Sequence, residues 1–165
     1  MVALPRSRLD WMRVLWTNPL GIRAMLWSRL PLAAFAGLRV TKLDAEGAEV
    51  SLPAGWKTQN PFRSTYFAAQ AMAAELSTGA PALLFIEESG ASLSFLVTGL
   101  TAKFTRKAVS RAVFAFRDGA RMKAAIAEAA ATGAPVTFAA RSVGTQEDGT
   151  TVAEFEISWS FKKRG

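Results

Sequence analysis

The stretch QNPFRSTYFAAQAMAAELSTG, residues 59–79, holds an Asn-Pro pair, a short polar lead and fifteen residues, Ser64 to Thr78, with almost no continuous polar face. The pattern predicts a helix over 64–78, opened by Asn60-Pro61 and closed by Gly79 and Pro81. A helix that is apolar on nearly every side belongs inside a protein, not on its surface. The remaining segments therefore have to enclose it.

Those segments read mostly as strands. Upstream, Leu38 and Val40, then Ala48, Val50 and Leu52, flank an Asp44-Ala45-Glu46-Gly47 turn, the pattern of a hairpin. Downstream, PALLFIEE (81–88) fits a short helix or a strand equally well. Period-two alternation then marks Leu100–Thr105, Ala112–Phe116, Val136–Ala140 and Ala153–Phe161, the last two joined through Asp148-Gly149. A helix over about 119–132 lies among them, with Asp118 as its cap and Gly133 as its stop. The expected order is hairpin, buried helix, antiparallel meander. One sheet wrapped around one helix satisfies it in an α+β domain.

Composition narrows the chemistry. The 165 residues suffice for one domain with a real core. With no His and no Cys, Ser-His and Cys-His nucleophile pairs, thiolate chemistry, disulfides and conventional zinc sites are excluded. No cofactor and no metal are expected, and acid-base work falls to Asp, Glu, Lys, Tyr or water.

The net charge is +7, and residues 1–40 hold six arginines against the single Asp10. No nucleic-acid motif accompanies this charge, so anionic lipid or a phosphate-bearing ligand is the better match, and no nucleic-acid partner is expected. Residues 1–35 read as an N-terminal extension of two or three short helices broken by prolines, with residues 36–165 as the main domain. Leu9, Trp11, Met12, Leu15 and Trp16 with Arg6, Asp10 and Arg13 form the first helix; Leu20, Ile22, Met25, Leu26 and Trp27 form the second, from Asn18-Pro19 to Pro31. These helices either pack over the domain or form a lid that touches a membrane surface or a partner. Arginines interrupt every apolar run before it could span a bilayer. LPLAAFAGL (30–38) imitates a signal peptide, but Arg29 before it and the strand pattern after it point to an uncleaved, cytoplasmic chain.

Residues 36–163 resemble the hotdog-fold thioesterases, in the branch related to phenylacetate-pathway thioesterases and to the DUF4442 family. The resemblance is most specific over residues 59–79, where an Asn, a His-Gly pair and an acid on the central helix align without gaps with Asn60, Tyr66-Phe67 and Glu75. LTAKFTRKA (100–108) and DGTTVAEFEISWSFK (148–162) resemble two of the family's strands. Tyr66-Phe67 replaces the His-Gly pair, and Arg63-Ser64 replaces a Gly-Thr pair at the helix opening.

The resemblance implies an antiparallel sheet wrapped around the central helix and an acyl-CoA thioester hydrolase, with a non-catalytic acyl-CoA or lipid-binding hotdog as the alternative. It assigns Glu75 as general base or nucleophile, the Phe67 N–H as oxyanion donor, and Asn60 to orient water or substrate or simply to cap the helix. Ser64, Tyr66 and Gln70 become substrate-binding candidates, Gln70 serving otherwise as a polar contact between helices. Arg106 and Lys107, with Arg111, would hold the phosphates of coenzyme A, or else form a solvated basic turn. Phe67 and Glu75 lie eight residues apart, about 12 Å along a helix axis. Two antiparallel copies can bring them to one carbon, so a homodimer or a tetramer is expected.

Overall fold

In the computed structural model of the protein, which describes residues 18–164, Asn18 is the cap of the first described helix. Its Oδ1 accepts the Leu20 and Gly21 N–H groups at 2.9 and 3.3 Å and starts α1 (Pro19–Arg29). A second short helix, α2 (Pro31–Ala36), follows at once and stops at Gly37, whose φ of 83° is left-handed. Ile22 and Leu26 of α1, with Ala33 and Ala36 of α2, point into the core. The helix expected around Trp11 and Trp16 lies outside the described residues.

The expected hairpin forms as β1 (Arg39–Leu43) and β2 (Ala48–Leu52). The Asp44 carboxylate closes its turn by accepting the Glu46 and Gly47 N–H groups. The central helix, α3, runs Phe67–Ser89 and passes straight through the expected stop at Gly79 and Pro81. PALLFIEE is its last stretch. An interior proline costs about 3 kcal/mol. Burying Leu84 and Phe85 beyond it returns roughly 1.5–3 kcal/mol each, so continuing the helix wins. Gly79 is a packing site: a Cβ there would stand 3.3 Å from a Glu75 carboxylate oxygen and 3.4 Å from the Trp159 ring.

Four further strands, β3 (Leu93–Phe104), β4 (Ala112–Phe116), β5 (Val136–Gln146) and β6 (Thr151–Lys163), complete a six-stranded antiparallel sheet. Its order is β1-β2-β4-β5-β6-β3. The meander β4-β5-β6 is as expected, but β3 lies at the far edge beside β6, away from its successor β4. Eleven residue pairs from Leu93↔Lys163 to Phe104↔Ala153 hold it there, a longer ladder than β4 could offer with five residues. Helix α4 (Gly119–Thr132) packs Met122, Ile126 and Ala129 inward and ends at the left-handed Gly133. The Asp118 side chain does not cap it; the carboxylate accepts instead from Arg121 at 2.9 Å.

Helix α3 lies against β2, β4, β5 and β6 in the hotdog arrangement. Two buried polar links fix its register. Ser77 and Ser142 share a hydroxyl-hydroxyl bond of 2.8 Å, and Trp159 Nε1 donates to Thr78 Oγ1 at 3.0 Å. Paired in this way, these groups avoid the penalty of a buried unsatisfied donor. The expectation that α3 is buried all round holds on its sheet side only. Phe67, Met72, Glu75 and Leu83 form a partly exposed stripe down its other side. Among the described residues no helix is long and apolar enough to cross a membrane.

Candidate functional site

The loop from β2 to α3 is held by its own polar groups. Asn60 lies seven residues before the first residue of the helix and does not cap it, contrary to the expectation that Asn60-Pro61 opens α3. Its Oδ1 accepts the Phe62 N–H at 3.0 Å and the Ser64 N–H and hydroxyl at 3.2 Å each, which folds residues 60–64 into a tight turn. Inside that turn Arg63 adopts a φ of 57°, the left-handed region. A side chain there is strained by about 1–2 kcal/mol, and glycine is not. We expect Arg63→Gly to raise the unfolding midpoint by a few degrees, measured by differential scanning calorimetry.

Two bonds connect this loop to its surroundings. The Tyr66 N–H donates to Thr58 O, and the Thr65 N–H donates to Ala108 O, both at 2.7 Å. The second brings the segment after β3 against the start of α3. As a result Asn60, Ser64, Tyr66, Phe67, Gln70, Arg106 and Lys107 all line one cleft of about 550 Å³. Phe62, Phe104 and Thr105, which the sequence reading did not select, also line it. The rings of Tyr66, Phe67 and Phe104 form an aromatic wall, with centroids 4.8 Å apart for Tyr66-Phe67 and 6.4 Å for Phe67-Phe104.

Tyr66 precedes the first helical residue without a side-chain cap. Among the described residues the Phe67 N–H donates to no protein acceptor. It is an unpaired donor at the positive end of the helix dipole. Gln70, one turn on, is buried. Its Nε2 donates to Thr65 O at 3.2 Å, which fixes the amide orientation and leaves Oε1 with no partner. A buried unpaired acceptor costs about 1–3 kcal/mol.

Glu75 stands apart from this cleft. It faces a second one, about 310 Å³, lined by Arg29, Leu30, Pro31, Leu32, Ala33, Met72 and Leu76. The α1–α2 residues were not foreseen, because no local pattern reports that those helices reach α3. Among the described residues the Glu75 carboxylate has neither a hydrogen bond nor a salt bridge, and burial raises its pKa above the ordinary 4.5. An acid whose folded pKa is raised binds its proton more tightly in the folded state. Its destabilisation is therefore absent below the unfolded pKa and grows as pH rises through the folded one. Urea titrations of wild type and Glu75→Gln should show the variant more stable at pH 8, with the difference vanishing towards pH 4.

The sheet, the enclosed helix and the cleft at its N-terminus define a hotdog-fold protein. The profile of the family described as a domain of unknown function (DUF4442) matches residues 21–161, and the chain belongs to that family. No curated protein sequence matches it. Among solved structures it is similar to PA5026 of Pseudomonas aeruginosa, a protein of unknown function named as a probable thioesterase, with 24% identity and a TM-score of 0.74 over 88% of this chain and 97% of that one. It is also similar to thioesterase HI1161 of Haemophilus influenzae, at 13% identity and TM-score 0.61 over 90% and 95%. A third is the E. coli PaaI protein of the phenylacetic acid degradation operon, at 17% and 0.58 over 93% and 96%. At these identities the likeness establishes the fold.

Proposed function

We propose that the protein hydrolyses acyl-CoA thioesters at sites shared between two copies, each built from the Phe67 helix terminus of one and Glu75 of the other. The observation that carries this reading is a separation. The N–H and the carboxylate, neither with a partner among the described residues, belong to positions eight residues apart on one helix, about 12 Å of axial rise, and open into different clefts, so one chain cannot apply both to one carbonyl. A twofold axis beside α3 removes the difficulty. The surface for it is present. Strand β3 is a sheet edge with Leu96, Leu100 and Phe104 exposed, and the Phe104 ring meets that of the exposed Phe67 at the start of α3. A twelve-residue edge strand with these exposed apolar groups is a template for pairing.

In each site the carbonyl oxygen accepts the Phe67 N–H, which stabilises the charge that develops there on attack. Glu75 removes a proton from the attacking water, or attacks directly and is released by water; the coenzyme A thiolate departs and takes up a proton. Asn60, Ser64, Tyr66 and Gln70 hold the substrate near the thioester, and Arg106 and Lys107 meet its phosphates at the rim. The presence of Tyr66 where the family pattern has His favours one second reading, a hotdog that binds acyl-CoA without turnover.

Thiol release from a panel of acyl-CoA esters, combined with light scattering, tests the proposal. Turnover by a dimer or larger assembly is the expected result. A folded monomer at micromolar concentration rejects the shared site, and tight acyl-CoA binding without thiol release establishes the second reading.

A further inference from the structure

We infer that the outer faces of α1 and α2, away from the Glu75 cleft, together with the loop around Trp56, are a docking surface for an anionic lipid bilayer. Helix α1 turns Ile22 and Leu26 inward, which leaves Leu20 and Trp27 more than half exposed; α2 turns Ala33 and Ala36 inward, which leaves Phe35 exposed. Phe35 continues the surface to Trp56, itself 73% exposed, through an edge-on ring contact of 6.2 Å, and Lys57 Nζ lies 5.0 Å from the Phe35 centroid. Apolar side chains this large are rarely left in water without a partner.

Charge identifies the partner. Arg23 on α1, Arg39 just after α2 and Lys57 beside Trp56 are exposed, and none of them has a carboxylate partner among the described residues. From Pro19 to Leu43 the chain contains no Asp or Glu. Arg39 and Lys57 also line one cleft of about 430 Å³ with Trp56 and Arg111, wide enough to admit a phosphate group. Tryptophan and leucine at headgroup depth, with cations reaching phosphate, is the pattern of an interfacial membrane surface. A second copy fits this face poorly, because a twofold contact would set one basic surface against itself.

Flotation of the full chain with phosphatidylcholine vesicles, and with vesicles that also contain phosphatidylglycerol, decides the matter. We expect binding to the anionic vesicles only, released by salt. The double variants Trp27→Ser with Trp56→Ser, and Arg39→Glu with Lys57→Glu, should each weaken it about tenfold or more while keeping the wild-type circular dichroism. The substituted positions are exposed, so the fold does not depend on them. Absence of binding by wild type, equal binding to neutral vesicles, or unchanged binding by either folded variant overturns the inference. So does a fall in oligomeric state in the tryptophan variant, which would make the face a contact between copies.

Discussion

Glu75→Gln is expected to lower kcat for acyl-CoA hydrolysis at least about a hundredfold, with KM little changed. The amide keeps the size of the carboxylate but lacks its basicity and its nucleophilic charge. Among the described residues Glu75 makes no ion pair or side-chain hydrogen bond that the substitution could break, so misfolding is not a competing explanation. Stability and activity should move in opposite directions. The variant gains stability at neutral pH, because a partly buried charge disappears, while its turnover collapses. The pH profile gives a second readout. Because the base must be ionised, wild-type kcat should fall as pH drops through the raised pKa of Glu75, an acid limb lying above the ordinary 4.5. Wild-type turnover by a folded Glu75→Gln protein would eliminate the mechanism, since the chain has no His or Cys to take over.

Phe67→Pro should cost about 100–1,000-fold in kcat through loss of one backbone donor. Few positions allow a backbone N–H to be deleted so cleanly. Proline is well accepted at the first helical residue. The preceding residue, Tyr66, already has the extended conformation that proline demands, with φ −63° and ψ 138°. No protein acceptor for this N–H exists among the described residues, so no bond is broken. Phe67→Ala, which removes the ring and keeps the N–H, separates the two effects and should retain most of the activity.

Mixing the two defective proteins tests whether the site is shared. Random reassociation of Glu75→Gln with Phe67→Pro makes half the dimers mixed. If donor and carboxylate come from different copies, one site of each mixed dimer is intact and about a quarter of wild-type activity returns. If each chain supplies its own pair, every site contains one lesion and nothing returns.

Local pattern determined most of the elements. Period-two runs marked β1, β2, β4 and β6, an Asp-Gly pair marked the β5–β6 turn, and Asn18-Pro19 marked the start of α1, because each depends on residues within a few positions of one another. The same locality explains where the reading failed. Gly79 and Pro81 are helix breakers by propensity, yet α3 continues to Ser89 because the curved sheet buries Leu84 and Phe85 beyond them. Asn60 looks like a cap by composition, but its acceptor is taken by Phe62 and Ser64.

By itself the sequence determined which chemistries were excluded, which helix would be central, and which side chains could bear charge on it. Only the tertiary structure decided that the 105–108 segment joins the start of α3 through the Thr65-Ala108 bond. The placement of β3 at the exposed edge, and of Glu75 beneath α1 and α2, was decided the same way. These are contacts between residues tens of positions apart. They are set by which surfaces of the folded elements exclude water together, and no window of local sequence contains that information.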